Sequence, residues 1–220
     1  FADCILFRHP RRSRVLLNIG GIANITWLPA GGDLNDIIAF DTGPGNCLSD
    51  AIAQEKLNRQ FDAGGKLAPQ GIANEAIVDA FLRDRYFRLE YPKSTDGPAM
   101  LSAFKRAIAG RSCSTQDLLA TACLCCARAI ARGIGQLPGR PGEIIAAGGG
   151  TSNRAIIQML ERETGLPIRR TDELAVPVAA REAMAFALLA AATLDGIPAN
   201  VPSVTGAIRP AILGSITKTS

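Results

Sequence analysis

Hydrophobic and polar positions indicate a β-rich start to the chain. Residues 15–28 are dominated by aliphatic and β-branched side chains, with Gly20 and Gly21 as a break in their middle. The apolar run 37–40 predicts a further strand, buried on both faces. This strand is expected to stop at Asp41, where a loop that cannot be helical begins.

The following segments have a helical period and are separated by short apolar strands. Helices are predicted over 47–57, 73–86, 115–134, 154–164 and 179–194, and strands over 143–147 and 167–170. The helix 179–194 is apolar nearly all round, which is typical of a helix inside a protein, and Gly196 is expected to end it. Strands that alternate with helices favour an α/β fold, followed here by a Pro/Gly-rich tail over 197–220.

The composition is that of an ordinary globular protein. Of the 220 residues, 47% are hydrophobic and 20% are charged, and the net charge is +4. This length suits one large or two small domains. The one basic run, 8–14, has no interleaved aromatic residues, so nucleic acid is not expected as a partner. No long apolar run lacks a charge, so no membrane span is expected. The chain begins with Phe1 and not with Met, which predicts that the native start is missing.

Cysteine and histidine usage excludes two classes of site. The chain has six cysteines and one histidine. Cys123, Cys125 and Cys126 lie in an Ala/Leu-rich helical stretch without the paired spacing of a zinc site, and we expect reduced, cytosolic thiols. His9 lies in the terminal basic segment, so no Ser-His-Asp or Cys-His apparatus can be assembled from the remaining residues.

Three glycine-rich breaks each follow a predicted strand. They are Gly20-Gly21, Gly43-Pro44-Gly45 and Gly148-Gly149-Gly150. Glycine lets backbone N–H groups approach phosphate oxygens, and ligands of open α/β sheets bind beyond the carboxyl ends of the strands. A single such loop is more often a tight turn, but three together favour a nucleotide or sugar-phosphate site. None has the Gly-Lys-Ser/Thr of a Walker motif, and no GxGxxG is present.

Two carboxylates are candidates for chemistry. Asp41 follows a buried strand and precedes a rigid Gly-Pro-Gly turn, so it could serve as a general base or metal ligand, or equally cap its own turn. Glu182 lies in the first turn of the apolar last helix, and its neighbours at Ala185, Phe186 and Leu189 are apolar. Such a carboxylate must be paired, protonated or facing a cavity, or else be stabilised by the helix N-terminus. A site role is favoured for it.

The loops resemble the central motifs of the anhydro-N-acetylmuramic acid kinases, in the family's order and over nearly the whole chain. The matching motifs are 18–24 (NIGGIAN), 40–46 (FDTGPGN), 61–65 (FDAGG) with Ala68 and Gly71, 92–95 (PKST), 148–153 (GGGTSN), 182–187 (EAMAFA) and 204–207 (VTGA). The resemblance implies an actin-like ATPase (ribonuclease H-like) α/β fold, of which this chain is the C-terminal part of a two-domain sugar kinase. Residues 1–46 would form the phosphate-side strands and loop, and 47–220 the helical and nucleoside-side portion, with the N-terminal domain absent.

The resemblance also implies a reaction and site roles. An ATP-dependent kinase would open 1,6-anhydro-N-acetylmuramic acid with water and phosphorylate its 6-oxygen, giving N-acetylmuramic acid 6-phosphate in cell-wall recycling. Asp41 matches the catalytic aspartate, and Glu182 and Asn46 are expected to bind the sugar. The residues expected to bind the nucleotide, used with Mg²⁺, are Asn18, Gly20, Gly21, Gly43, Gly45, Gly148, Gly149, Gly150 and Asn153. No magnesium ligands are assigned.

The chain departs from the family pattern in ways that affect substrate choice. The family's N-terminal Gly-Thr-Ser-x-Asp-Gly segment is absent, so this chain alone is expected to be a poor kinase that needs its N-terminal half. Asp96-Gly97-Pro98 replaces the usual Gly-Arg-Glu after Thr95, and the residues before Glu182 lack an acidic residue often found there. The alternatives are a non-catalytic nucleotide-binding fragment and another actin-like sugar kinase. The resemblance suggests a cytoplasmic homodimer.

Overall fold

A mixed five-stranded sheet lies at the centre of the computed structural model, which describes residues 1–217. The strand order is β3-β2-β1-β4-β5. The strands are β1 (Arg14–Ile19), β2 (Ile22–Leu28), β3 (Ile38–Pro44), β4 (Glu143–Ala147) and β5 (Ile168–Arg170). β1, β2 and β3 form an antiparallel meander, while β4 runs parallel to β1 and β5 runs parallel to β4. The predicted α/β class is confirmed, and the glycine break at Gly20-Gly21 is the turn of a β1–β2 hairpin.

Helices cover the sheet and fill the connections. They are α1 (Ala2–Phe7), α2 (Cys47–Leu57), α3 (Glu75–Leu82), α4 (Gly97–Ile108), α5 (Thr115–Gly135), α6 (Arg154–Thr164), α7 (Arg181–Leu194) and α8 (Pro202–Thr205). The predicted helices 47–57 and 154–164 are confirmed with the same bounds, and 115–134 is one residue longer. The helix predicted over 73–86 is shorter, because Asn74 caps its start and Asp84 begins a separate 3₁₀ turn over Arg85–Arg88.

Helix α4 was not predicted, because Gly97-Pro98 resembles a helix breaker. In the structure these residues open the helix. The Asp96 side chain accepts a hydrogen bond from the Ala99 amide at 2.8 Å, and proline is tolerated in the first turn, where its missing N–H has no intrahelical partner.

Strand β3 continues where the sequence predicted a loop. It runs through Asp41 to Pro44, because its backbone stays paired with β2 across a register shift at Ala23/Asn24. The prediction that 37–40 is buried on both faces is also wrong. Ile37 and Phe40 are buried, whereas Ile38 and Ala39 are only half-buried.

The face of the sheet that carries Val15, Leu17 and Ile19, here called the helix face, packs against α5 and its neighbours in the main core. α5 is buried along most of its length, including the predicted buried trio Cys123, Cys125 and Cys126. By length and composition α5 could cross a membrane, but 72% of its most apolar 18-residue window is buried in this structure. That burial fits the central core helix of the fold.

The opposite face, which carries Leu16, Asn18, Asn24 and Asp41, is here called the polar face. Its end nearest the start of β1 is covered by a second, smaller core that includes Phe7 and residues near α8. The polar face therefore has a covered end and an open end.

Helix α7 lies largely at the surface, which contradicts the expectation that an apolar helix would be buried in this chain. Only Ala192 is buried, while 66% of Phe186 and 73% of Leu194 is exposed. Gly196 follows the helix with a φ of +67°, so it ends the helix as expected. Residues 1–46 and 47–217 both contribute strands to the one sheet, and the functional division between them stays a prediction.

Candidate functional site

Three loops meet at one edge of the sheet. β1, β3 and β4 all point the same way, so the chain leaves each of them at the same edge. The Asn46 amide donates to the Gly20 carbonyl at 2.8 Å, and the Gly45 amide donates to the Gly21 carbonyl at 2.9 Å. Gly148 lies against the Ile19 carbonyl on the other side of β1. The structure thus gathers the three glycine-rich breaks where an open α/β sheet binds ligands.

A row of polar side chains crosses the polar face beside these loops. Asn18 on β1 pairs with Asn24 on β2, and Asn24 pairs with Asp41 on β3. Directly opposed residues point to the same face of a sheet, and neighbouring strands lie about 4.8 Å apart. All three residues are half-buried, so their polar groups remain accessible.

The Asp41 carboxylate is held by residues far away in sequence. Its Oδ2 accepts a hydrogen bond from the Thr95 amide at 3.0 Å. Its own amide donates to the Lys93 carbonyl at 3.1 Å, and the Tyr86 hydroxyl donates to its carbonyl at 2.5 Å. Because the carboxylate bonds to Thr95, the contacts of residues 1–217 do not support the alternative in which Asp41 caps its own turn. Those contacts leave Oδ1 without a hydrogen-bond donor.

A β-bulge directly follows this aspartate in β3. Asn24 is opposite Asp41 and Ala23 is opposite Gly43, so Thr42 is an extra residue in β3. Thr42 is buried, and its hydroxyl donates to the Ala23 carbonyl at 3.1 Å. Bulges of this kind commonly redirect a side chain next to a functional site.

An open cavity of about 500 Å³ lies at the same edge of the sheet, beside α7. Asn18 and Gly148 form part of one wall, and Arg181 and Glu182 form part of another. Glu182 is exposed and faces this cavity, which is one of the four alternatives that the sequence left open. Asp41 does not line the cavity. It lies two strands from Asn18, roughly 10 Å along the polar row by the usual strand spacing.

Arg181 joins α1 and α7 beside the cavity. One guanidinium nitrogen, Nη2, bonds to both carboxylate oxygens of Asp3 at 2.7 and 2.8 Å. The side chains are 22% and 25% exposed, so this pair is protected from solvent over most of its surface. It holds the N-terminal turn of α7, and therefore Glu182, near the start of the chain.

Packing rather than ligand access explains three of the predicted glycines. A Cβ on Gly45 would lie 2.2 Å from the Gly20 carbonyl oxygen, and one on Gly150 would lie 2.2 Å from Ile19 Cγ2. Gly43 has a φ of +142°, and a Cβ there would lie 2.9 Å from the Phe87 ring. These positions need glycine for the close approach of neighbouring elements.

Two other loop glycines face open space. A Cβ on Gly21 or on Gly149 would meet nothing within 4 Å. These are the positions where backbone groups could approach a ligand. Gly148 has a φ of +87°, which allows the chain to turn sharply from β4 towards α6.

Of the three predicted asparagines, Asn153 and Asn46 differ in availability. Asn153 is buried and caps α6, since its Oδ1 accepts from the Ala155 and Ile156 amides at 3.1 and 3.2 Å. Its Nδ2 lies 3.8 Å from Cys123 Sγ, so its polar atoms have partners inside the protein. Asn46 precedes α2 and is half-buried, and its side chain makes no cap hydrogen bond. Of the two, Asn46 has the side chain available to a ligand.

Burial changes the proton affinity of groups near the site. It raises the pKa of Asp50, in the first turn of α2, to about 6, and the pKa of Cys47 to about 11 with a contribution from Asp50. Burial, followed by the nearby charge of Asp41, raises the pKa of Tyr86. Tyr86 therefore remains a protonated hydrogen-bond donor to the Asp41 carbonyl.

A family model described as anhydro-N-acetylmuramic acid kinase matches residues 1–219. The chain belongs to the anhydro-N-acetylmuramic acid kinase family. It is 39% identical to the anhydro-N-acetylmuramic acid kinase of Salinibacter ruber, over 98% of this chain and 56% of that protein. It is 41% identical to that of Gloeobacter violaceus, over 97% of this chain and 58% of that protein. The chain therefore spans a little over half the length of these relatives.

A solved structure supports the fold. The activator of the 2-hydroxyisocaproyl-CoA dehydratase from Clostridium difficile with bound ADPNP superposes with a TM-score of 0.50. It is 14% identical, and the match covers 85% of this chain and 66% of that one. At this identity the likeness shows the fold alone, which is the actin-like ATPase fold expected for the anhydro-N-acetylmuramic acid kinase family.

Sequence reasoning missed three residues around the proposed catalytic aspartate of this family member. Asn24 was recognised only as part of a motif, and the pairing of β1 with β2 places it opposite Asn18. Thr95 and Tyr86 reach Asp41 across 54 and 45 positions of sequence. No local pattern could have identified those two contacts, because only the folded chain brings them together.

Proposed function

We propose that this chain provides the catalytic aspartate and the nucleotide-facing loops of an ATP-dependent kinase acting on 1,6-anhydro-N-acetylmuramic acid. The reaction would open the anhydro ring with water and transfer the γ-phosphoryl group of ATP to the 6-oxygen, giving N-acetylmuramic acid 6-phosphate. Membership of the family supports the reaction. The observation that carries it is the Asp41 carboxylate, with Oδ2 held by the Thr95 amide and Oδ1 left available.

Asp41 acts in this proposal as the general base. Its Oδ1 accepts a proton from the water that attacks the anomeric carbon, while the released 6-oxygen attacks the γ-phosphorus. A base must be held in one orientation to work in this way. Fixation of the Asp41 backbone by Tyr86 and Lys93 supports that role.

The loop at 148–150 and the hairpin at Gly20-Gly21 are proposed to hold the nucleotide. Gly21 and Gly149 leave room for a ligand to approach the backbone. The chain enters α6 soon after the 148–150 loop. Helix N-termini and glycine-rich loops favour phosphate groups. Asn18 lies between the two loops and would contact the same ligand. In this arrangement Gly43, Gly45, Gly150 and Asn153 shape the loops rather than touch the nucleotide.

The sugar is proposed to lie on the polar face between Asp41 and the cavity beside α7, so that the base can reach the attacking water. Glu182 faces that cavity, and Asn46 lies at the same sheet edge with an available side chain. Carboxylate and amide groups bind sugar hydroxyls through hydrogen bonds. Mg²⁺ would accompany ATP and neutralise phosphate charge. It usually needs only one or two protein carboxylates besides phosphate oxygens and water. No cluster of three or more His, Cys, Asp or Glu side chains that could hold a metal lies among the described residues, so most of its ligands would come from the nucleotide and water.

The relatives' remaining length is proposed to complete the site. The chain covers 56 to 58% of the two relatives compared above, and the polar face has an open end. We infer that a further segment covers this end and supplies the remaining residues that bind the phosphate groups of ATP. A cytoplasmic homodimer that serves cell-wall recycling is proposed with it. The open polar face also favours a second candidate, a nucleotide-binding module without kinase activity.

Phosphate transfer from ATP to 1,6-anhydro-N-acetylmuramic acid tests the proposal, in this chain and in a form extended to the length of its relatives. We expect transfer in the extended form, lowered by about 10²–10⁴-fold in Asp41→Asn because the general base is lost. Asp79→Asn, on the exposed side of α3, is the matched control and should be active. Folded extended protein that binds ATP without phosphorylating the sugar would favour the nucleotide-binding module.

A further inference from the structure

The segment 86–95 covers the free edge of β3 and bonds to Asp41 at three points. Tyr86 bonds to the Asp41 carbonyl, Lys93 to its amide, and Thr95 to its carboxylate. β3 is an edge strand, so without this segment the outer side of Asp41 would lack these backbone partners. The orientation of the carboxylate therefore depends on how firmly this segment is fixed.

The Lys93 side chain is the anchor of the segment. Its Nζ donates to the Leu89 carbonyl at 3.0 Å and to Gln136 Oε1 at 3.1 Å. It also lies 5.5 Å from the centre of the Phe40 ring and 5.2 Å from that of Tyr86. Two hydrogen bonds and two aromatic faces hold the ammonium in one place, since cations are attracted to the faces of aromatic rings.

The anchor connects the segment to the core. Gln136 caps the C-terminal end of α5, and its Nε2 donates to the same Leu89 carbonyl at 3.3 Å. Phe40 precedes Asp41 in β3 and stacks on Tyr91 with ring centres 5.3 Å apart. The ammonium thus touches α5, β3 and its own segment at once. Burial, followed by the charge of Arg132, lowers the pKa of Lys93, which indicates that the cage is partly shielded from water.

We propose that Lys93 is a positioning residue for the Asp41 carboxylate. Its caged ammonium fixes the segment 86–95 so that the Thr95 amide occupies Oδ2 and leaves Oδ1 to accept the proton. The role in catalysis rests on the proposed function, whereas the structural coupling between Lys93 and Thr95 stands without it. Neither the spacing of the motif nor the sequence around Lys93 indicates this coupling.

Amide hydrogen exchange measured by NMR on the 220-residue chain tests the coupling. Lys93→Met keeps the length of the side chain but removes the donors and the charge. We expect the Thr95 amide to exchange at least about tenfold faster, because its protection comes from the hydrogen bond to Asp41, while the Cys125 amide in α5 is unchanged. Lys105→Met, an exposed lysine on α4, is the matched control and should leave the Thr95 rate as it is.

A second variant guards against loss of folding. Gln136→Leu removes the Oε1 acceptor without touching Lys93 and should raise the Thr95 exchange rate in the same direction by a smaller factor. An unchanged Thr95 rate in both folded variants would overturn the proposal.

Kinetics in the extended form test the consequence for catalysis. Lys93→Met should lower kcat by about 10- to 100-fold and leave KM for ATP within about twofold, because a displaced base weakens the transition state and not nucleotide binding. Faster Thr95 exchange with unchanged kcat would show that Lys93 does not position the base. If Asp41→Asn is fully active, the proposed function fails, and the exchange result still decides whether Lys93 fixes Thr95.

Discussion

The two faces of the sheet differ in burial and polarity. The helix face presents Val15, Leu17 and Ile19 to α5, and these side chains are essentially inaccessible to water. The polar face presents Asn18, Asn24 and Asp41 at the level where the loops meet, and all three remain half-buried. Strand β1 contributes to both faces by simple alternation, since Asn18 lies between Leu17 and Ile19, while β2 and β3 supply Asn24 and Asp41. The helix face supplies stability, and the open polar face keeps the groups available for chemistry.

Helix α7 gives a second contrast between a buried and an exposed part of the molecule. An apolar stripe runs along the exposed side of α7, and its members are Ala183, Phe186, Ala187, Ala190 and Leu194. Their spacing of three and four places them on one side of the helix. α5 is also strongly apolar, but it is buried on most sides by the sheet and by α2, α3 and α6. Of these two apolar helices, one is therefore buried and the other exposed, depending on the elements packed around each.

The largest effect is expected from a substitution that leaves a cavity on the helix face, and it tests the contrast between the two faces of the sheet. Leu17→Ala removes a side chain that is 1% exposed, and we expect it to lower the free energy of unfolding by about 3–5 kcal/mol through lost burial and an unfilled cavity. Urea denaturation measures the loss. Leu194→Ala on α7 is the control, with an expected change below about 0.5 kcal/mol. Equal losses in the two variants would contradict the assignment of stability to the helix face.

A smaller effect should come from Asp50, a half-buried carboxyl in the first turn of α2. Its pKa is raised from 3.8 to about 6, so the folded chain binds its proton more tightly than the unfolded chain does. The stability that it contributes is present at low pH and is lost as pH rises from about 4 through about 6. Asp50→Asn should therefore raise stability at pH 7.5, by about 1 kcal/mol after allowance for partial exposure.

Thermal unfolding between pH 4 and pH 7.5 measures this difference. The gain from Asp50→Asn should shrink as the pH falls, because the wild-type carboxyl becomes protonated. Asp79→Asn, which changes an exposed carboxyl, is the control. A gain that is constant across this range would show that burial of the charge is not its cause.

The smallest effect on stability is expected on the exposed stripe of α7. Phe186→Ser should change the free energy of unfolding by less than about 0.5 kcal/mol, because 66% of this side chain is already exposed. It should instead lower the binding of an apolar dye such as ANS to the folded chain. A loss of several kcal/mol would mean that Phe186 is packed inside the protein in solution.

Local patterns were enough for most of the elements but not for the surroundings of the site. The bounds of α2 and α6 follow from periodicity, with an Asn153 cap that opens α6 and Gly165 after its end. The continuation of β3 through Asp41 could not be predicted, because a Gly-Pro sequence argues for a loop and only pairing with β2 overrides it. Helix α4 was missed for the related reason that its Gly-Pro start resembles a breaker.

The sequence by itself determined the α/β class, the three glycine-rich breaks and the two candidate carboxylates, because turn residues and apolar periods are local properties. Only the tertiary structure decided that the breaks share one edge, that Gly43, Gly45 and Gly150 are required by packing, and that Asn153 is used as a helix cap. It also decided that Thr95 and Lys93 hold Asp41. These are contacts between residues distant in the chain, and their geometry exists only when the sheet and helices have packed together.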